Sequence, residues 1–265
     1  MVGVPTHSAQ TSSLSAKERL IVALDVPTVN EAHEIITELG ESVVFYKVGL
    51  VLQLDPDLRS LFSRLREENK NVFLDFKYID ISATIEGTVR AASLLGIKFI
   101  TVMGQSHIVK AAAKGRVGHN LKILAVTLLT GMTENDMKKE YNTEISLKEF
   151  IKRRAKEASL MGCDGVISSP DEVELIRSVI HKDNFLVVTP GIRRPGAEPD
   201  DQKRIASPHD AILKGADYLV VGRPIIRERN KLSATQRIID EMEAAIASQE
   251  RLSRSTSLPI PAEVY

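Results

Sequence analysis

The chain has 265 residues, with 35 Lys and Arg against 35 Asp and Glu, one Cys, no Trp and 43% hydrophobic residues. That length suffices for a large domain with a buried core, and zero formal charge argues against a general binder of nucleic acid or acidic membranes. A single Cys excludes an intramolecular disulfide framework, and no apolar run approaches the roughly 18 residues needed to span a bilayer.

Residues 1–17 are Ser/Thr-rich and lack the charged start and apolar block of a signal peptide. They read as a flexible arm on a soluble, cytoplasmic protein. Apolar, β-branched runs then recur at 20–24, 43–48, 72–76, 97–102, 123–128, 165–168, 185–188 and 218–221. Most are near-continuous rather than alternating, which predicts parallel strands covered on both faces. Helical periodicity marks the segments between them: 30–39 with Asn30 as its expected cap, then 58–68, where Leu58, Leu61, Phe62 and Leu65 repeat at helical spacing. It continues at 85–95, 107–114, 147–161, 170–180 and 208–214, and a helix over 233–248 closes the series. Residues 249–265 read as a flexible tail. Long loops are expected at 131–145 and 191–207, the second being the natural lid.

Strand-then-helix units repeated through 18–248 fit a single-domain α/β fold, a (β/α)₈ TIM barrel, for which about 250 residues is typical. A doubly wound sheet is the alternative. It is weakened because Leu24-Asp25-Val26-Pro27 stands where a G-x-G-x-x-G would follow the first strand.

A barrel carries its chemistry at the carboxyl ends of its strands. There the sequence places Asp25 after strand one, Lys47 inside the apolar strand two, and Asp75, Lys77 and Asp80 at the end of strand three. Asp75 and Lys77 are two apart and therefore share a face while the strand lasts. A lone D-x-K reads most simply as a surface ion pair. Lys47 on the neighbouring strand changes that, because charges in apolar surroundings are costly unless paired, and such clusters mark functional sites. A second group comprises Gly191 and Arg193 after strand seven, and Gly222 and Arg223 after strand eight. Barrels often hold phosphate there, and glycines with arginines suit an anion.

Other candidates are poor. The six His residues show no H-x-H or H-E-x-x-H spacing, so a zinc site is not expected. Cys163 reads as a small packed residue, and Ser168-Ser169 has no visible base partner.

Taken together, Asp75-x-Lys77-x-x-Asp80-Ile81, Lys47-Val48-Gly49-Leu50, Leu129-Thr130, the T-P-G-I-R run ending at Arg193, Asp201-Gln202 and V-G-R-P-I around Arg223 resemble the orotidine 5′-phosphate decarboxylase family. The resemblance runs from about residue 19 to 226. It implies a homodimer that converts orotidine 5′-monophosphate to UMP and CO₂ with neither metal nor organic cofactor. By the same resemblance, Asp25 and Lys47 bind the ribose, Asp75 sits against the substrate carboxylate, and Lys77 delivers a proton to C6. Asp80 and Thr84 reach into the partner's site, Thr130 lies by the pyrimidine, and Arg193, Gln202, Gly222 and Arg223 hold the phosphate. The chain departs from the family pattern at Ile79, Ser82-Ala83 and Gly131, where His, Pro-Asn and Ser are frequent. Related barrels acting on sugar phosphates share the D-x-K-x-x-D segment, but they use Mg²⁺ and typically carry Glu where Lys47 stands. A barrel that binds a nucleotide phosphate without turnover is the third reading.

Overall fold

Each of the apolar runs forms a strand: β1 (Leu20–Ala23), β2 (Phe45–Gly49), β3 (Asn71–Tyr78), β4 (Phe99–Met103), β5 (Lys122–Val126), β6 (Gly165–Ile167), β7 (Leu186–Thr189) and β8 (Tyr218–Val221). The computed structural model describes residues 13–182, 184–193 and 205–256. All strand pairings are parallel, and β8 pairs back with β1 to close the barrel. This is the (β/α)₈ barrel that the sequence implied.

Alternation within the strands explains why they read as continuous apolar runs. Leu20, Val22 and Leu24 join the layer between strands and helices, whereas Ile21 and Ala23 join the separate cluster inside the barrel. Both faces are buried, so neither can be polar. The lower interior is filled by rings. Phe45 and Phe99 meet edge to face at 4.9 Å, and Phe99 and Tyr218 at 5.0 Å. Such contacts add modestly to the large area the rings bury.

The helices are α1 (Ala16–Arg19), α2 (Val29–Leu39), α3 (Leu58–Glu67), α4 (Ser82–Leu94), α5 (Ser106–Gly115), α6 (Glu134–Glu140), α7 (Leu147–Leu160), α8 (Val173–Arg177), α9 (Pro208–Leu213), α10 (Arg223–Ile226) and α11 (Lys231–Thr256). Several differ from the sequence expectation for identifiable reasons. The cap of α2 is Thr28, whose hydroxyl accepts from the Glu31 N–H at 3.2 Å, while Asn30 turns to Glu34. The expected loop 131–145 contains α6, which begins with a capping box between Thr133 and Asp136. A second capping box, Ser15 with Glu18, starts α1 inside the segment read as an arm. α8 is shorter than expected, and α11 continues past the expected end at Ser248 to Thr256.

The closure of β8 onto β1 is held from below by buried charge. The Arg19 guanidinium donates to the backbone oxygens of Asp217 and Ala216 at 2.8 and 2.9 Å. The Asp217 carboxylate accepts from the Val187 N–H at 2.7 Å and pairs with Arg177. Burial lowers the pKa of Arg19 to about 10, with the Asp217 carboxylate opposing the shift, so the group stays charged at neutral pH.

Candidate active site

Three strands carry the same local pattern. Phe45-Tyr46-Lys47, Phe73-Leu74-Asp75 and Phe99-Ile100-Thr101 each place an inward ring two residues below a polar side chain. The period of two puts both on the inner face, so the ring layer becomes the floor on which Lys47, Asp75 and Thr101 stand. All three polar residues are buried.

Their charges form a chain. Asp25 Oδ1 lies 2.8 Å from Lys47 Nζ, Lys47 Nζ lies 3.5 Å from Asp75 Oδ2, and Asp75 Oδ1 lies 2.9 Å from Lys77 Nζ. Burial alone would raise the Asp75 pKa, but Lys47, Lys77 and the Thr101 hydroxyl outweigh it and hold the carboxyl below its ordinary value. Burial alone would lower Lys47, but Asp25 and Asp75 hold it above the ordinary lysine value. The site is therefore a row of alternating charges whose two central members, Lys47 and Asp75, are buried and held charged by their neighbours, while Asp25 and Lys77 are more open.

Gly49 makes room for this row. A Cβ at that position would stand 3.0 Å from Lys47 Nζ and 3.1 Å from Asp25 Oδ1. The missing side chain lets the Asp25–Lys47 pair close.

Lys77 does not simply continue the strand alternation. Its φ is +50°, in the left-handed region, which costs an ordinary residue of order 1–3 kcal/mol. The pairing of β3 with β4 shows why: Leu74 pairs with Ile100 and Tyr78 with Val102, so β3 takes four steps while β4 takes two. This bulge re-aims the end of β3, and the Lys77 ammonium returns to Asp75 despite it.

The row lies in a cavity of about 460 Å³ at the carboxyl ends of the strands, within the ~300–1,000 Å³ usual for small-molecule sites. Of the residues singled out in the sequence, Asp25, Lys47, Asp75, Lys77, Thr130, Arg193, Gly222 and Arg223 line it. Apolar side chains including Phe73, Val126, Ile167 and Val220 cover the rest, and Arg227 adds a guanidinium that the sequence reading missed. Gly191 also lines the cavity, with φ at +82°, a conformation suited to glycine. The ends of the expected lid are clasped by Arg193 N–H to Ala206 O at 2.9 Å and Ala206 N–H to Gly191 O at 3.3 Å. Gln202 and residues 194–204 lie outside the described residues.

Asp80 and Thr84 do not join the cavity of their own chain. Both are exposed, and Asp80 Oδ1 accepts from the Ile81 N–H at 2.6 Å. The expected array of Lys47, Asp75, Lys77 and Asp80 is thus, within one chain, an array of Asp25, Lys47, Asp75 and Lys77. Asp80 lies after β3 ends, where strand alternation no longer fixes its direction.

Thr101 was the other omission. Its hydroxyl donates to Asp75 Oδ1 at 2.9 Å and accepts from the Lys77 backbone N–H at 2.9 Å. The repeated Phe-x-polar pattern was the signal that could have found it.

Fold and site define a barrel enzyme whose strand-end cavity is lined by a row of alternating charges together with Arg193, Arg223 and Arg227. Residues 18–238 match the model of the orotidine 5′-phosphate decarboxylase / HUMPS family. A Nitrobacter winogradskyi protein named orotidine 5′-phosphate decarboxylase is 45% identical over 233 residues, 87% of this chain and 95% of that protein. One of the same name from Bradyrhizobium diazoefficiens is 42% identical over 237 residues, 89% of this chain and 99% of its own. The crystal structure of orotidine 5′-phosphate decarboxylase from Lactobacillus acidophilus is similar at TM-score 0.73 and 34% identity, covering 85% of this chain and 99% of that one. The chain belongs to the orotidine 5′-phosphate decarboxylase / HUMPS family.

Proposed function

We propose that the protein is a carboxy-lyase that converts orotidine 5′-monophosphate to UMP and CO₂, a step of de novo pyrimidine biosynthesis. The observation that carries this reading is the Lys77 ammonium, held 2.9 Å from a buried Asp75 in a cavity that arginines also line. The bond between C6 and the carboxylate carbon breaks, and its electron pair stays on C6. That carbanion gains little from resonance, so a preorganised cation beside it supplies the stabilisation. Lys77 then gives its proton to C6 and regains one from solvent. Asp75 would stand against the substrate carboxylate and crowd it as it departs.

Asp25 and Lys47 would hold the ribose hydroxyls. Arg193, Gln202, Gly222 and Arg223 would hold the phosphate, and Thr130 would lie by the base. Phosphate binding remote from C6 can be used to align the ring. Lys47 also bears on the sugar-phosphate alternative. Its ammonium stands between the Asp25 and Asp75 carboxylates, which favours the reading that needs no divalent cation.

The same reading makes the protein a homodimer in which Asp80 and Thr84 complete the partner's site. Supporting it are exposed apolar side chains in the segments that follow two neighbouring strands, Leu50, Val51 and Leu54 after β2 and Ile79 and Ile81 after β3, with Leu54 91% and Ile81 71% exposed. Exposed apolar patches of this kind mark interaction sites.

Loss of orotidine monophosphate absorbance, followed with wild type and Lys77→Ala, tests the reaction. Rapid turnover by wild type and none by the variant are expected. Undiminished turnover by the variant would refute the role of Lys77.

A further inference from the structure

The geometry points to Thr101 as a positioning residue for the decarboxylation centre, whose hydroxyl clasps the Asp75 carboxylate and the Lys77 backbone at once. This rests on the proposed reaction, since it concerns the two groups that would carry it.

Thr101 is fully buried on β4, on the inner face of the barrel two residues above Phe99. A valine would fill nearly the same volume, so packing alone does not call for a hydroxyl. The hydroxyl is used twice. Its proton goes to Asp75 Oδ1, and its lone pair takes the Lys77 N–H, each at 2.9 Å. Asp75 Oδ1 also receives Lys77 Nζ at 2.9 Å. One carboxylate oxygen, one hydroxyl and the two ends of a single lysine thus close a ring of three hydrogen bonds.

The bulge makes that ring necessary. Between Leu74 and Tyr78 the register with β4 slips, and Lys77 takes the left-handed conformation. Thr101 gives the displaced N–H a partner on the neighbouring strand and so fixes the strained turn. Its other bond fixes the rotamer of Asp75, which meets the far end of the same lysine. Backbone and ammonium are anchored to one rigid strand. A displacement of about 1 Å at a reacting group can cost on the order of 100-fold in rate.

The test compares Thr101→Val with Thr101→Ser in steady-state decarboxylation of orotidine monophosphate. Thr101→Val should lower kcat about 10- to 100-fold and change KM less than about threefold, because ground-state contacts to phosphate and ribose are untouched. Thr101→Ser, which keeps the hydroxyl, should stay within about threefold of wild type. Equal activity in Thr101→Val overturns the assignment, and so does an equal loss in both variants, which would indicate packing alone. Amide exchange of Lys77 in the wild-type protein provides a measurement that needs no variant. Strong protection supports the clasp, and exchange at the rate of a free amide overturns it. If the wild type does not decarboxylate the nucleotide, the proposed reaction fails, and the amide measurement still decides whether the clasp exists.

Discussion

Lys47 on β2 and Asp25, just beyond the end of β1, meet at 2.8 Å across the space that Gly49 leaves empty. The pair is therefore spaced by a missing side chain. A methyl group there would press on both Nζ and Oδ1. Gly49→Ala is expected to lower kcat/KM about tenfold, or ~1.4 kcal/mol of transition-state stabilisation, with little change in melting temperature. Steady-state kinetics beside a thermal melt will show it.

Asp75 and Lys47 set opposite pH limits. The carboxyl of Asp75 is held below 3.8 in the folded chain, despite burial, chiefly by Lys47 and Lys77. Its contribution to stability is present above that value and is lost as pH falls through the folded pKa. Lys47 is held above 10.5, again against burial, by Asp25 and Asp75. Its contribution is present below that value and is lost as pH rises through the folded pKa. In melts from about pH 2 to 7, Asp75→Asn should melt below wild type at neutral pH, and the gap should narrow below about pH 4. A constant gap would contradict the linkage.

The single thiol should be inert. Cys163 is fully buried and donates to the Ile123 carbonyl at 3.0 Å, and burial pushes its pKa up to about 12. Reactivity requires the thiolate. Ellman's reagent is expected to leave the native protein unlabelled and to react with one equivalent after denaturation.

Beneath the barrel, Asp217 joins Arg177, the Val187 N–H and, through its carbonyl, Arg19. Removing one partner of a buried pair leaves the other charge uncompensated, at a cost of about 3–5 kcal/mol. Asp217→Ala should therefore lower the urea midpoint strongly although it lies at the end opposite the cavity. An unchanged midpoint would show that the network is dispensable.

If Leu54 and Ile81 lie in a dimer interface, charge there should separate the subunits. Leu54→Glu is expected to elute as a monomer by light scattering and to lose activity as Asp80 and Thr84 leave the partner's cavity. A fully active monomer would refute that arrangement.

The barrel was legible because its strands are apolar on both faces. Doubly covered strands such as Val187 and Val188, one outward and one inward, leave an uninterrupted run that periodicity detects. Asp75 and Lys47 were legible as charges inside such runs. The bulge was not, because the left-handed φ of Lys77 falls where the register of β3 against β4 shifts, and a register between strands is not written in either strand's own pattern. Thr101 escaped notice because threonine is ordinary in strands, and only its alignment with Phe99 below it sets it apart. Short helices such as α6 were missed because α6 spans only Glu134–Glu140, too short for apolar periodicity, although Thr133 and Asp136 spelled its cap.

The ring layer of Phe45, Phe99 and Tyr218 has a consequence for traffic. It makes the barrel a cul-de-sac. Nothing can be fed from beneath while something else drains above, so under the proposed reaction nucleotide and gas would both pass between the strand-end loops. Under the proposed reaction CO₂ must pass the nucleotide or wait for it to go, and a tight-binding analogue lodged at the arginines would cork entry and exit together.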